Sequence, residues 1–369
     1  MNYSYWELKE WFSNIDFTIV GSGIVGLNCA LEIKKKHPKA KVLVLEKGML
    51  PQGASTKNAG FACFGSLSEI IDDLKSHTEQ EVFNLVDDRW KGLQLLRNNL
   101  GDKSIDFQQH KGFELCDSKD FFEECIAKKE HINRLLKPIF KEEVFSISEN
   151  TFNFQKVHQK YIVNNFEGQI DTGKMAAKLL FKAQKNGIKI LNNILVESFV
   201  ENEGEVHLKT NRLDFYTKKL CIATNGFANK LLNENVQPAR AQVLITKPIK
   251  NLQIKGTFHL DKGYFYFRNI DDRILFGGGR NLDFKTEETS EFGETTIIQN
   301  ELEKILEETI LPNTNFEIEH RWSGIMGVGN QKKAIVKQLS NHVFCGVRLG
   351  GMGVAIGSLV GKELAELIQ

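Results

Sequence analysis

The sequence lacks the features that mark several large protein classes. Its six cysteines contain no C-x-x-C pair and form no Cys/His cluster at metal-ligand spacing, so we expect reduced, mostly buried thiols and no metal site. No apolar run reaches the roughly 18 residues that a membrane span needs. Residues 1–15 have neither the basic start nor the apolar core of a signal peptide. We therefore predict a cytoplasmic protein without a membrane span.

An excess of charge of one sign is also missing. The chain has 48 Lys and Arg against 47 Asp and Glu, a formal net charge of +1, which gives no global field to attract nucleic acid. Neither G-x-S-x-G nor H-E-x-x-H occurs, which disfavours a hydrolase. The sequence also shows no obvious catalytic dyad. At 369 residues the chain is long enough for two domains with a large core.

The chain is organised around residues 16–26, DFTIVGSGIVG. We interpret this stretch as a strand, a tight turn and the start of a helix, which together are typical of a dinucleotide-binding βαβ unit. Gly21 makes the turn, Gly23 admits a pyrophosphate, and Gly26 allows the helix and strand to pack closely. Ile24 and Val25 begin the helix and are included among the candidate cofactor-binding residues.

A second predicted strand, KVLVLEK at 41–47, strengthens this interpretation. Glu46 lies at its end, 20 positions beyond Gly26, where a carboxylate can accept hydrogen bonds from the ribose hydroxyls of an adenosine. The adjacent Lys47 is also a candidate. Nothing resembles the arginine that binds a 2'-phosphate, so the motif favours FAD or NAD over NADP. The alternative is a plain α/β turn in which Glu46 only caps a strand.

The motifs GSGIVG, LEKG and GASTKNAG together resemble the FAD-dependent amine and amino-acid oxidoreductases, the family of D-amino-acid oxidase, glycine oxidase and sarcosine oxidase. The resemblance implies non-covalent FAD, because no cysteine lies in WSGIMGVGN, where sarcosine oxidases carry theirs. It also implies flavin contacts along the loop at residues 48–66. The candidates in this loop are Ser55, Thr56, Lys57, Asn58, Gly60, Phe61 and Ala62.

The same resemblance implies three further cofactor contacts. Val196 lies on a strand that passes the adenine in this family, and Thr224, Asn225 and Gly226 follow the buried strand KLCIA. Near the end of the chain, a strand, a glycine-rich turn and a helix place backbone N–H groups under the flavin pyrimidine ring. The candidates at this turn are Arg348, Gly350, Gly351, Met352, Gly353 and Val354.

Residues 236–249 and 262–280 alternate like strands of an antiparallel sheet. With a period of two, Tyr264, Tyr266 and Arg268 share one face, which is either solvent-exposed or the wall of a pocket. By resemblance, this sheet covers the reactive side of the flavin. The predicted catalytic residues are Tyr264, favoured over Tyr266, with Arg268 and Arg280 as cations.

Met326, in the stretch EIEHRWSGIMG, departs from the family pattern. Glycine oxidase-like members have an arginine at this place that binds the substrate carboxylate, and a thioether cannot supply that salt bridge. A simple α-amino acid substrate would then need Arg268, Arg280 or Arg321 instead. The stretch is more similar to the branch that oxidises amines such as γ-glutamylputrescine, as is SYWE at 4–7.

These observations predict an α/β protein, α+β overall, with a Rossmann-like FAD-binding domain and a second, antiparallel-sheet substrate domain. We expect the FAD-binding domain at 1–75, 155–235 and 320–369, and the substrate domain at 76–154 and 236–319. The predicted reaction is oxidation of the C–N bond of an amine or amino acid, with oxygen, a quinone or a carrier as electron acceptor.

Three alternatives remain at this point. They are an FAD-dependent 2-hydroxy-acid dehydrogenase on the same fold, a flavin enzyme acting on modified tRNA, and a non-enzymatic dinucleotide-binding protein. The first would need a base for a hydroxyl proton and an arginine for the carboxylate. The second is disfavoured by the balanced charge.

Overall fold

The computed structural model describes residues 2–368. The strands in this range are β1 (Ile15–Val20), β2 (Val42–Leu45), β3 (Phe61–Ala62), β4 (Gly112–Leu115), β5 (Phe145–Glu149), β6 (Lys160–Asn164), β7 (Gly168–Gln169), β8 (Lys189–Leu191), β9 (Val196–Asn202), β10 (Glu205–Thr210), β11 (Phe215–Ile222), β12 (Gln237–Thr246), β13 (Thr257–Leu260), β14 (Phe265–Ile270), β15 (Arg273–Gly278), β16 (Ile318–Val328), β17 (Ile335–Gln338) and β18 (Val343–Val347). The α-helices are α1 (Tyr5–Glu7), α2 (Ile24–Lys36), α3 (Leu67–Asp73), α4 (Glu79–Leu100), α5 (Asp102–Ile105), α6 (Lys119–Phe140), α7 (Thr172–Lys185), α8 (Phe284–Glu287), α9 (Thr296–Ile305) and α10 (Gly353–Glu366).

The first sheet has eight strands, and its main order is β17-β18-β11-β1-β2-β8. β1 is parallel to β2 on one side and to β11 on the other. β9 and β10 form an antiparallel pair that joins this sheet through β11. Strands β1 and β2 are rich in β-branched residues and leucine because both faces of a central parallel strand are covered, and all four residues of β2 are buried. The predicted parallel βαβ unit is confirmed.

Helices cover one face of this sheet. A single apolar cluster contains Ile19 of β1, Leu27 of α2, Leu96 of α4, Leu179 of α7 and Val360 of α10. α10 packs against both α2 and α4. The C-terminal helix therefore lies beside the helix that begins at the GSGIVG turn. The two helices follow the parallel strands β18 and β1, so both begin at the same edge of the sheet.

The second sheet also has eight strands, in the order β16-β12-β15-β14-β13-β4-β6-β5. All of its neighbouring pairs are antiparallel except β13 with β4. Phenylalanines and the apolar side of α9 form its core, which includes Phe154, Phe258, Phe267, Phe276 and Ile298. The predicted fold class, a Rossmann-like domain combined with a largely antiparallel sheet, is confirmed.

Sheet membership differs from the predicted domain boundaries at three places. β6 and β16 lie in the second sheet although residues 160–164 and 320–328 were assigned to the FAD-binding domain. The second half of α4 packs with the first sheet, and its first half packs with α3 and α6, although residues 79–100 are all predicted for the substrate domain. An amphipathic helix does not indicate which sheet its apolar face will cover, which explains the α4 assignment. The domain division remains a prediction.

Two composition-based expectations also have structural counterparts. All six cysteines are free and buried, as predicted. Within residues 2–368, the structure contains no helix that combines the length and the apolar character required to cross a bilayer.

Candidate functional site

A cavity of about 660 Å³ is lined by residues of both eight-stranded sheets. Its volume lies within the range of roughly 300–1,000 Å³ that is typical of small-molecule and cofactor sites. Two backbone turns contribute to its lining, at 20–26 and at 350–355, and we call them the two glycine turns. Each turn leads directly into a helix, α2 and α10 respectively.

The first glycine turn requires glycine at two positions. Gly21 has φ +107°, a conformation that L side chains rarely adopt. A Cβ at Gly26 would lie 1.9 Å from the backbone oxygen of Gly21. Gly26 does not line the cavity, in keeping with its predicted role in helix–strand packing. Gly21, Gly23, Ile24 and Val25 do line it.

Glu46 also lines the cavity, but its carboxylate is already engaged by the protein. Oε2 accepts hydrogen bonds from the Ser22 backbone N–H at 3.1 Å and the Ser22 hydroxyl at 2.7 Å. Oε1 accepts from the N–H groups of Gly48 at 3.0 Å and Gln52 at 3.3 Å. A carboxylate has about four lone-pair sites, so binding of ribose by Glu46 requires one of these donors to move. The ribose contact remains a prediction.

The loop at 53–62 contributes several cavity residues. The Ser55 hydroxyl accepts from the Ile24 N–H at 2.9 Å, which ties the loop to the start of α2. Asn58 Oδ1 accepts from the Gly60 N–H at 2.9 Å. The predicted residues from this loop that line the cavity are Ser55, Lys57, Asn58, Gly60 and Phe61. Thr56 and Ala62 do not line it, because the Thr56 hydroxyl donates to the Pro51 carbonyl and Ala62 is fully buried.

Most of the other predicted cofactor-binding residues line the cavity, and two do not. The cavity is lined by Lys47, Val196, Thr224, Asn225, Gly350, Gly351, Met352, Gly353 and Val354. Gly226 does not line it, because Gly226 lies against the backbone of Met326. Arg348 does not line it either. The Arg348 guanidinium donates to the carbonyls of Lys333 and Asn235, so this side chain braces the second glycine turn from outside the cavity.

The cavity fits an elongated cofactor that carries phosphates. Both helices begin without a side-chain cap from the N-cap residue, and a helix N-terminus favours negative charge. Thr224 Oγ1 is buried in the cavity wall and has no hydrogen-bond partner among residues 2–368, so it can serve a polar group of a bound molecule. The residues present therefore fit a dinucleotide placed between the two glycine turns.

A wall of aromatic side chains faces the same cavity. The Phe61 ring lies edge-on to His259 at 5.3 Å and to Tyr266 at 5.5 Å between ring centroids. We call these three residues the aromatic wall. Burial raises the pKa of Tyr266 to about 12, so its hydroxyl keeps its proton at neutral pH. Tyr264 also lines the cavity, and the structure does not separate the two tyrosines as catalytic candidates.

The three predicted arginines are placed differently. Arg280 is the only arginine among the cavity-lining residues of the described chain. Arg268 does not line the cavity, since it is 3% exposed and donates to the carbonyls of Ala59 and Ile170. Burial lowers the pKa of Arg268 to about 10. Arg321 pairs with Glu303. The expectation that Arg268 is a catalytic cation is not supported by its position, because its side chain fastens a loop to the sheet.

Met326 lines the cavity, next to the second glycine turn. A Cβ built on Gly351 would lie 3.5 Å from the Met326 sulfur. The position where the resemblance predicts a carboxylate-binding arginine is therefore occupied by an uncharged side chain in the cavity wall. Arg280 is left as the arginine available to an anionic substrate group.

Sequence reasoning missed a pair of residues at the aromatic wall. His259 Nε2 lies 2.6 Å from Glu167 Oε1, and the two side chains are 6% and 0% exposed. Burial acts to lower the pKa of His259, but the charge of Glu167 and its hydrogen bond outweigh burial and raise the pKa to about 9. The residues are 92 positions apart in the chain, and no local pattern links them.

Comparison with known proteins places this site in a family. Residues 16–367 match the family described as DAO, FAD dependent oxidoreductase. The probable oxidoreductase OrdL of Haemophilus influenzae is 21% identical over 375 residues, which cover 96% of this chain and 82% of the relative.

Two solved structures have a similar fold. Glycine oxidase from Geobacillus kaustophilus has a TM-score of 0.75 and 17% identity, covering 96% of this chain and 94% of that chain. L-proline dehydrogenase from P. horikoshii has a TM-score of 0.73 and 19% identity, covering 96% and 93%. At these identities the likeness shows a shared fold alone. Because the family match spans nearly the whole chain, this protein belongs to the FAD dependent oxidoreductase family, and its cofactor is FAD.

Proposed function

We propose that this FAD-dependent oxidoreductase oxidises the carbon–nitrogen bond of a small amine or amino acid. The observation that carries the proposal is that one cavity joins the two glycine turns to the aromatic wall, so that a small organic molecule at the wall would lie beside the cofactor. The names of the structurally similar proteins, a glycine oxidase and an L-proline dehydrogenase, support oxidation next to nitrogen.

The protein's part in this reaction is binding and orientation. When bound, FAD supplies the acceptor for a hydride equivalent from the carbon that carries the nitrogen, and the resulting imine hydrolyses in water. The first glycine turn and the start of α2 would hold the phosphates, and the start of α10 would lie against the other end of the cofactor. Tyr264 and Tyr266 would flank the substrate.

The substrate class that best fits the cavity is an amine rather than a simple α-amino acid. Met326 offers no charge to a carboxylate, and Arg280 is partly buried, with its pKa lowered by burial. Glu69 and Asp72 line the cavity as well and can attract a positively charged substrate group, while lysines such as Lys262 and Lys332 also line it. An anionic group on the same substrate would be placed at Arg280.

A second candidate is the FAD-dependent 2-hydroxy-acid dehydrogenase. It needs a base for the hydroxyl proton and an arginine for the carboxylate, and the His259–Glu167 pair with Arg280 provides such groups.

The electron acceptor, whether oxygen, a quinone or a carrier, and a cytoplasmic location both remain predictions.

The test is the visible spectrum of the purified holoenzyme before and after anaerobic addition of single compounds. A panel of primary and secondary amines, α-amino acids and 2-hydroxy acids would be used, each at the same concentration. We expect bleaching of the oxidised flavin by one or more amines. Bleaching by 2-hydroxy acids alone would replace the proposal with the second candidate. Reduction by none of the panel would favour a non-enzymatic dinucleotide-binding protein.

A further inference from the structure

The His259–Glu167 pair has the arrangement of a proton acceptor and the group that orients it. His259 lies on β13, between β4 and β14, and its register partners are Glu114 and Tyr266. Glu167 lies immediately before β7, behind the histidine ring. The histidine lines the cavity whereas Glu167 does not, so the imidazole separates the carboxylate from the cavity.

Glu167 is held in place and has no access to solvent. Its side chain is fully buried, and Oε2 has no hydrogen-bond partner among residues 2–368. The carboxylate packs tightly against Gly112, where an added Cβ would lie 2.3 Å from Oε2. A buried carboxylate with an unpaired oxygen is costly unless a charged partner compensates it. The compensating partner here is His259.

The hydrogen bond to Glu167 fixes the tautomer of the neutral histidine. When Nε2 carries the proton and donates it to Glu167, Nδ1 is left as the acceptor. Nδ1 has no hydrogen-bond partner within the described residues, and His259 is a cavity-lining residue. The nitrogen that can accept a proton is therefore the one left for a bound molecule.

Carboxylates dominate the surroundings of His259. Besides Glu167, the charges of Glu69 on α3 and Glu114 on β4 act to raise the pKa of His259. Glu114 accepts hydrogen bonds from Ser68, and burial raises its own pKa. Glu69 reaches the cavity itself.

Other titratable groups near this wall are Cys63, Lys262, Tyr264, Tyr266 and Arg280, which line the same cavity. Burial raises the pKa values of the Cys63 thiol and the Tyr266 phenol, so both remain neutral near pH 7. Lys262 and Arg280 are the cations of this group. Glu167 and Glu69 are the carboxylates at this wall that can attract a substrate arriving as an ammonium ion.

We propose that His259 is the catalytic residue that accepts the proton of the substrate ammonium group, and that Glu167 is the positioning residue that orients the imidazole. One N–H bond of the ammonium breaks, one N–H bond forms at His259 Nδ1, and the electron pair stays on the substrate nitrogen. The products are a neutral amine, which is the form that can be oxidised, and an imidazolium paired with Glu167. This inference rests on the proposed function, since it requires an amine substrate.

The similar pKa values of the substrate ammonium group and of His259 support this assignment. A free alkylammonium has a pKa near that of lysine, about 10, and His259 has a raised pKa of about 9. A proton acceptor works best when its pKa is close to that of the donor, because the transfer is then nearly balanced. An ordinary histidine, without Glu167, would be a much weaker acceptor for an ammonium proton. Because of the same raised pKa, His259 is neutral and able to accept a proton only from about pH 9 upward.

The experiment measures the limiting rate of anaerobic flavin reduction at saturating amine between about pH 6 and pH 11, for the wild type and for His259→Gln and Glu167→Gln. We expect both variants to bind FAD and to need a higher pH, by about one unit or more, to reach half of their maximal rate. Near pH 9, where neutral His259 becomes populated in the wild type, they would be up to about tenfold slower, and the difference would disappear where the substrate is already a free amine.

A matched control exists elsewhere in the chain. His342 Nδ1 pairs with Glu201 Oε1 at 2.8 Å, but neither residue lines the cavity. His342→Gln removes a comparable pair and should leave the pH profile of flavin reduction unchanged. A shift in this control as large as that in His259→Gln would show that the profile reports on general stability, and would overturn the assignment.

The outcomes separate the two proposals. If an amine reduces the wild type and the profiles of the two test variants superimpose on it, the proton-acceptor role is wrong while amine oxidation stands. If no amine reduces the wild-type flavin, amine oxidation fails and the role of His259 fails with it. Should His259→Gln not retain FAD, Glu167→Gln decides the question, because it keeps a hydrogen-bonding side chain of the same size while removing the negative charge.

Discussion

The two glycine turns and the aromatic wall enclose the same cavity but are built from different chemical groups. At the turns the lining segments are rich in glycine, which has no side chain to cover the backbone, and α2 and α10 begin there. At the aromatic wall it is lined by side chains of Phe61, His259 and Tyr266, which come from distant parts of the chain. Backbone recognition suits a constant cofactor, whereas side chains can vary with the substrate.

The difference predicts where substitutions will damage the whole protein and where they will change only its chemistry. A change in backbone packing at the turns should disturb folding or FAD binding. A change at the aromatic wall, or at Met326, should leave FAD bound and alter the pH dependence or the preference among substrates.

The largest effect is expected from Gly26→Ala. The added Cβ would lie 1.9 Å from the backbone oxygen of Gly21, which cannot move without opening the turn between β1 and α2. Overpacking of this kind costs about 3 kcal/mol or more. The measurement is the free energy of unfolding in denaturant, with Gly53→Ala as the control, because nothing lies within 4 Å of a Cβ at Gly53. Equal stability of the two variants would contradict the proposed packing role.

Gly23→Val should separate FAD binding from folding. Gly23 has an extended conformation that any residue can adopt, and its added Cβ would meet only the Ser55 hydroxyl, the end of a movable side chain. The valine would nevertheless project at the start of α2, where the pyrophosphate is predicted. We expect folded, colourless protein whose affinity for FAD is lower by about 100-fold or more, which is about 2.7 kcal/mol. Full flavin occupancy after purification would show that the pyrophosphate binds elsewhere.

The first glycine turn could be predicted from the sequence because its contacts are local in the chain. The contacts that define the first glycine turn, among Gly21, Ser22, Gly26 and Glu46, join residues no more than 25 positions apart, and strand–turn–helix spacing is a local pattern. Even there, the two donors that Gly48 and Gln52 present to Glu46 could not be foreseen, because they depend on how the loop after β2 folds back.

The aromatic wall could not be predicted in the same way. His259 and Glu167 meet only because β13 pairs with β4 and β4 pairs with β6, and the segment after β6 brings Glu167 behind the imidazole. Arg268 shows the limit of strand alternation. Alternation gives the face of a side chain, but not whether the carbonyls of Ala59 and Ile170 will reach that face and engage it.

The stability of the Glu167→Gln variant should depend on pH in a defined direction. The pKa of His259 is raised to about 9 in the folded protein, above its ordinary value of about 6.5, so proton binding stabilises the fold. This contribution is complete below about pH 6.5 and is lost as pH rises through 9. The stability advantage of the wild type over the variant should therefore shrink with rising pH, by at most about 1.4 kcal/mol per pH unit.

Chemical denaturation at several pH values between about 6 and 10 would measure this trend, with Glu201→Gln as the comparison. Glu201 pairs with His342 at a partly exposed site, where solvent weakens the interaction, so its pH dependence should be smaller. An advantage of the wild type that grows with pH would mean that His259 and Glu167 do not share an ion pair in the folded protein.

The smallest effect is expected at Met326, and it tests whether the aromatic wall and its surroundings set the substrate class. Met326→Arg would place a guanidinium in the cavity wall beside the second glycine turn, where the resemblance to glycine oxidase-like sequences puts a carboxylate-binding arginine. We expect the Kd for a simple α-amino acid, measured by the spectral change of the bound flavin, to fall about tenfold, or about 1.4 kcal/mol. Met326→Leu, of similar volume and without charge, should leave it unchanged. If the arginine variant instead binds amines and amino acids in the same ratio as the wild type, then Met326 does not determine the choice, and Arg280 becomes the residue that receives the carboxylate.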